Sequence, residues 1–169
     1  MDIRCKKFKV GDWIVSDCNN VAYIESISET MYNLQCKDGF HEKMTIEYID
    51  RNWHLWSIQD AKDGDVLFAN IHKWEIWGDT SDLPLIVPTL LIYQEVKTDK
   101  DHIHSYCTLY DNHKFKKILY IYKTMFYNCD FNIRGIFPAT KEQRDILLKK
   151  IHETGFEWDD EEKKLKKLK

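Results

Sequence analysis

A four-residue pattern, Lys-x-Gly-Asp followed by an apolar run, occurs twice in this 169-residue chain. The copies are Lys9-Val10-Gly11-Asp12 before Trp13-Ile14-Val15, and Lys62-Asp63-Gly64-Asp65 before Val66-Leu67-Phe68. Glycine permits a backbone geometry that a side chain would penalise, and Asp favours turns. The branched and aromatic residues that follow fit a pleated surface. Each copy is therefore read as a turn that feeds directly into a strand. The copies lie 53 residues apart, the length of one small β-barrel, so the second marks a seam near residue 60.

Strand signals fill both halves. In the first they fall at 13–16, 21–27, 32–36, 44–49 and 54–58, with Asn19-Asn20 and Asp38-Gly39 as tight turns. In the second they fall at 66–69, 89–96, 104–110, 115–122 and 131–136. One helix is clearly announced. Thr140 with Gln143 three residues later forms a capping box, Ile146, Leu147 and Ile151 make an apolar stripe, and Gly155 ends it. Phe156-Glu157-Trp158 reads as a short strand or anchor. The acids 159–162 followed by lysines suit a short terminal helix or a frayed, solvated tail. The expected fold is α+β and mainly β: two successive small SH3-like or curled β-barrel units, 1–59 and 60–137, then a C-terminal segment, 138–169.

Charge narrows the function classes. The formal net charge is −3, but residues 163–169 hold five of the 25 basic residues, so the body carries 20 against 28 acidic ones. A body of that sign repels phosphate backbones and disfavours generic nucleic-acid binding. No run approaches the roughly 20 apolar residues of a membrane span. The opening residues lack the apolar stretch of a signal peptide, which predicts a cytoplasmic protein. Cys5, Cys18, Cys36, Cys107 and Cys129 are scattered and odd in number, and are expected to be reduced thiols.

Two stretches carry a resemblance. Residues 56–67, Trp-Ser-Ile-Gln-Asp-Ala-Lys-Asp-Gly-Asp-Val-Leu, and residues 138–145, Pro-Ala-Thr-Lys-Glu-Gln-Arg-Asp, resemble segments of uncharacterised phage and prophage proteins of gut Bacteroidales. Gly155-Phe156-Glu157-Trp158-Asp159 and the opening Phe8–Val15 fit the same group. The matched residues are framework, so no catalytic residues carry over. The resemblance implies a phage accessory protein in the bacterial host, of a kind that often antagonises host defence.

Chemistry-bearing constellations are sparse. There is no Gly-x-Ser-x-Gly elbow and no phosphate-cradling loop, and the chain holds six glycines, so an enzyme is not expected and no cofactor is called for. His102 and His104 share a strand face and could begin a metal site with His113 or Asp111. Solvated surface histidines are the simpler reading. Trp74, Trp77, Tyr106, Tyr120, Tyr122, Lys123 and Arg134 form the candidate ligand set, because aromatic faces stack bases while cations satisfy phosphates. The expectation is a non-enzymatic binding protein, a counter-defence factor that sequesters a small nucleotide-like immune signal or blocks a host defence protein. The alternatives are a nucleic-acid-binding SH3-like module and a structural or assembly protein that forms homo-oligomers by sheet extension.

Overall fold

The computed structural model describes residues 6–72, 86–96, 102–112, 116–121, 124–127 and 135–169. The chain divides into two compact units, Met1–Asp60 and Ala61–Lys169. Unit 1 contains β1 (Trp13–Ser16), β2 (Val21–Ile27), β3 (Met31–Cys36), β4 (His41–Thr45), α1 (Ile46–Asn52) and β5 (Trp53–Leu55). Its strands form one antiparallel sheet in the order β4-β3-β2-β1-β5. Unit 2 contains β6 (Val66–His72), β7 (Ile86–Gln94), β8 (His102–Asn112), β9 (Lys116–Tyr120), β10 (Thr124–Tyr127) and β11 (Ile136–Pro138). There the order is β10-β8-β7-β6-β11, with β9 paired to the C-terminal part of β8. Helix α2 (Lys141–Glu153) and the hairpin β12 (Phe156–Asp159) with β13 (Lys164–Lys167) follow. The protein is mainly β with a C-terminal helix. Neither sheet closes into a barrel among the described residues.

The two Lys-x-Gly-Asp turns are built alike. Gly11 has φ 94° and Gly64 has φ 86°, both in the region that favours glycine. In each turn the Asp carboxylate accepts the Lys N–H at 2.9 Å, Asp12 from Lys9 and Asp65 from Lys62. The Gly N–H then donates to the neighbouring strand, Gly11 to Ile24 O (2.9 Å) and Gly64 to Tyr93 O (2.8 Å). The same partner residue returns a bond, Ile24 N–H to Asp12 O and Tyr93 N–H to Asp65 O. The likeness extends beyond the turns. Trp13, the residue after the first, accepts from Trp56 N–H (2.9 Å), and Val66, after the second, from Ala139 N–H (3.0 Å). In both units the strand after the turn lies between the next strand and the last, so one sheet plan is used twice. Outside the turns the sequence shows no such repeat, because many different apolar residues satisfy the same register.

Two expected elements differ. The run 44–49 is divided between the end of β4 and the start of α1. Thr45 caps that helix, its side chain accepting Tyr48 N–H, and Glu47 pairs with Arg51 one turn on. This cap outweighs the apolar run that reads as strand. The terminal lysines form β13 rather than a helix or a frayed tail. Asp159 Oδ1 accepts the N–H groups of Glu161 (3.0 Å) and Glu162 (2.8 Å), which turns the chain back where a helix would have continued.

Ion pairs then fasten the hairpin. Lys163 meets Asp160 at 3.0 Å, Lys166 contacts Asp159 and Glu162, and Lys164 contacts Glu162. Asp159 is held below the usual carboxylate range by Lys166 first and the Glu162 N–H second, and Asp160 by Lys163. A depressed carboxylate adds stability that is present above its unfolded value, near 4, and is lost as pH falls. Amide protection across β12 and β13, relative to the intrinsic exchange rate at each pH, is therefore expected to fall below about pH 4, before the central strands open. Unchanged protection at pH 3 would refute this fastening.

Unit 1 is packed around Ile14, Ala22, Ile24, Leu34, Ile49 and Trp53, with Phe8 and Tyr32 in edge contact, centroids 6.2 Å apart. The buried Tyr32 hydroxyl accepts Phe8 N–H (3.3 Å) and donates to Asp50 Oδ1 (3.0 Å), tying the leading segment to α1. Burial, then the Asp50 carboxylate, pushes this phenol up to about 12. Unit 1 accordingly loses stability between pH ~10 and ~12, where the unfolded phenol ionises first. Tyr32→Phe leaves two polar groups without this partner and is expected to cost about 1–2 kcal/mol in urea unfolding. Wild-type stability in that variant would show that water serves both groups equally well.

In unit 2 the central strands are buried on both faces: Leu67, Ala69, Ile71, Val87 and Leu91 on one, Val66, Ile92, Cys107 and Leu109 on the other. The second face packs against Leu147 and Ile151 of α2 and against Phe156, Trp158 and Leu165 of the hairpin. Burial pushes the Cys107 thiol up to about 12, well away from reactive thiolates. Cys18, Cys36 and Cys107 are free thiols, while Cys5 and Cys129 lie outside the described residues.

Candidate binding site

The capping box sets α2. Thr140 Oγ1 accepts Gln143 N–H at 3.3 Å, and Thr140 N–H donates to Gln143 Oε1 at 2.9 Å. From this fixed start the helical period turns Leu147 and Ile151 onto the sheet, where both are fully buried. Ile146, one position earlier and about 100° around the helix, stays 40% exposed. The sheet beneath carries a row of apolar residues set by register: Phe137 opposite Phe68, Phe68 opposite Leu90, Leu90 opposite Leu109, and Leu109 opposite Leu119.

A pocket of about 100 Å³ opens where α2 leaves this row. Its floor is Phe68, Leu90 and Leu109 with Pro88 and Thr89 of β7, and its wall is Gln143 and Ile146. The Thr89 hydroxyl donates to Val87 O at 3.0 Å. Thr89 belongs with Val87 and Leu91 on the opposite sheet face, so the Gln143 amide is the pocket's polar side chain. Among the described residues no ionisable side chain lines it. Beside Phe68 stands Phe137, 41% exposed, its ring lying over Gly135. A Cβ at Gly135 would meet that ring at 2.4 Å, and Gly135 has φ 82°, so glycine is required for the ring to rest there. Phe68 and Ile146 line the pocket, and exposed Phe137 is the strand neighbour of Phe68 on the same sheet face.

The residues expected to bind a ligand are placed differently. Tyr106 is the extra residue of a β-bulge in β8, where the register against β7 passes from Cys107 to Ser105. The bulge aims its hydroxyl at the Asp63 carboxylate (3.1 and 3.2 Å) and its ring at Trp158, centroids 5.1 Å apart. Burial and then Asp63 raise its pKa. Tyr106 thus clasps the hairpin to the second turn. Tyr120 lies on β9 opposite Thr108. Trp74, Trp77, Tyr122, Lys123 and Arg134 lie outside the described residues.

His102 and His104 share one face of β8, ring centroids 6.2 Å apart, opposite Tyr127 and Met125 of β10. Among the described residues no group of three His, Cys, Asp or Glu side chains could hold a metal, and His113 lies outside them. No described helix is long and apolar enough to cross a membrane.

Sequence reading missed the pocket because Gln143 was accounted for by the cap and Ile146 by the stripe. The available signal was the run Ile146-Leu147-Leu148. Three consecutive apolar residues sweep about 200° of helix surface, more than a helix lying on one sheet can bury. No protein-family model, curated protein or solved structure matches this chain.

Proposed function

We propose that this chain is a non-enzymatic binding protein that works by covering the surface of another protein, with the pocket beside α2 as its anchor point. Pocket size carries the reading. Small-molecule sites occupy about 300–1,000 Å³, whereas this pocket of about 100 Å³ is suited to one apolar side chain. Among the described residues its lining holds no cation to meet a phosphate. Exposed Ile146 in the lining and exposed Phe137 beside Phe68 match the aliphatic and aromatic anchors on which protein interfaces depend. The resemblance to phage and prophage proteins supplies the setting: a counter-defence factor in the bacterial cytoplasm that blocks a host defence protein. The shared strand order supports reading each unit as an SH3-like module. A nucleic-acid role is disfavoured by the pairing of Lys163, Lys164 and Lys166 with acids of their own hairpin.

Two measurements test this. Thermal shifts against a panel of cyclic and ADP-ribose-type nucleotides are expected to be flat, and a saturable shift would favour sequestration of a nucleotide signal instead. In defence-bearing bacteria, expression is expected to restore plaquing by a sensitive phage, and Ile146→Asp to abolish that rescue while leaving the fold intact. Full rescue by folded Ile146→Asp protein would reject the pocket as the anchor.

A further inference from the structure

The tripeptide Lys-Asp-Gly occurs twice, as Lys37-Asp38-Gly39 and Lys62-Asp63-Gly64, and the fold places the copies in unlike settings. An aspartate followed by glycine carries its own reaction partner. The glycine nitrogen lies next to the side-chain carboxyl carbon, and no side chain on the glycine crowds the approach. Attack needs that nitrogen released from its hydrogen bond, so the reaction runs through local opening of the turn. The two nitrogens are held alike, Gly39 N–H by Cys36 O and Gly64 N–H by Tyr93 O, each at 2.8 Å. The carboxylates are not. Asp63 is half-buried, and it accepts Glu95 N–H at 2.9 Å and the Tyr106 hydroxyl at 3.1 and 3.2 Å. Tyr106 also packs on Trp158, so opening this turn breaks contacts to β8 and the hairpin. Asp38 is exposed at the tip of the β3–β4 hairpin, on an edge of its sheet. Among the described residues its carboxylate accepts one hydrogen bond, from Phe40 N–H at 3.3 Å. Phe40 is 70% exposed and β4 is mostly exposed, so little burial opposes fraying there.

We propose that Asp38 is a site of spontaneous main-chain modification, converted to isoaspartate in the folded protein, while Asp63 in the same tripeptide is shielded. In the first step Gly39 N bonds to the side-chain carboxyl carbon of Asp38. The carbon–hydroxyl bond of the protonated carboxyl breaks, and that hydroxyl leaves with the amide proton as water. The cyclic imide then takes water back. Opening at the side-chain carbonyl restores Asp38, and opening at the main-chain carbonyl routes the chain through the side-chain carbon. Water is the one co-reactant, and the product has the same mass as the starting chain. The main chain gains a methylene directly before the Gln35–His41 pair. The bonds that close the tip, Cys36 N–H to Phe40 O at 2.7 Å and Gly39 N–H to Cys36 O, lose their spacing, which loosens the β4 edge.

The test incubates the full chain at neutral pH in heavy-oxygen water and digests it at intervals. Each ring opening writes one heavy oxygen into the site, and isoaspartyl peptides separate from their aspartyl isomers by chromatography. In the folded protein, label at Asp38 is expected to accumulate about tenfold faster than at Asp63, the ratio that one additional net hydrogen bond can give. In concentrated urea the identical tripeptides are expected to react at equal rates. Tyr106→Phe removes the hydroxyl from Asp63, and is expected to speed labelling there several-fold while leaving Asp38 unchanged. Equal rates in the folded protein, faster reaction at Asp63, or no label at Asp38 while the urea-treated chain is labelled would overturn the proposal. A ratio that persists in urea, or an Asp63 rate that Tyr106→Phe does not move, would overturn the shield.

Discussion

Leu147→Ala is expected to destabilise unit 2 by about 3–5 kcal/mol, whereas Ile146→Ala, one residue away, should cost less than about 1 kcal/mol. Leu147 is fully buried between α2 and the sheet, in the cluster with Leu90, Ile92, Cys107 and Leu109. Truncating it removes the transfer energy of an isobutyl group and leaves a cavity that close-packed strands cannot collapse into. Ile146 is 40% exposed, so its removal mainly widens a pocket already open to water. Amide exchange measured residue by residue in α2, β7 and β8 is the suitable readout, because a chain of two units need not unfold in one step. Similar costs at the two positions would mean that α2 is rotated on the sheet by about one residue, which would also close the proposed site.

Substituting the two repeated glycines should give unequal results. Gly11→Ala is expected to cost about 1–2 kcal/mol, the penalty of placing a side chain at positive φ. A Cβ there meets nothing nearer than the Tyr23 hydroxyl at 3.9 Å. Gly64→Ala carries the same backbone penalty, but its Cβ would sit 2.8 Å from Lys163 Nζ and 3.2 Å from Asp160 Oδ1. The end of Lys163 can swing aside only by leaving Asp160, which it meets at 3.0 Å. That exposed pair contributes at most about 1 kcal/mol, so the total should be about 2–3 kcal/mol. The sharper distinction is spatial. Gly64→Ala should speed amide exchange in β12 and β13 and leave unit 1 unaffected, while Gly11→Ala should do the reverse. Undisturbed hairpin protection in Gly64→Ala would show that the lysine relocates without consequence.

Interactions between near neighbours were legible from sequence. The Lys-x-Gly-Asp turns, the Thr140–Gln143 box and the turns at Asn19 and Gly39 depend on residues two to four positions apart, so their chemistry is written locally. Misreadings arose where a local contact competed with composition. Thr45 converted part of an apolar run into α1, and Asp159 turned a helix-like charge pattern into a hairpin. The framework contacts of Tyr106 were illegible for a different reason: the β-bulge brings its hydroxyl to Asp63, 43 residues earlier.

By itself, then, the sequence determined that the chain is mainly β, that two like turns each launch a strand, and that a capped helix begins at Lys141. Those facts rest on backbone geometry and hydrogen bonds spanning a few residues. Only the tertiary structure decided that both turns start the same sheet plan, that Lys163, Lys164 and Lys166 of the tail pair with neighbouring acids, and that Ile146 faces out while Leu147 faces in. The pocket also appears only there, because Phe68, Leu90, Leu109 and Gln143 come from four separate elements. Strand register and the seating of one helix bring them together, and many sequences could satisfy either without making the pocket.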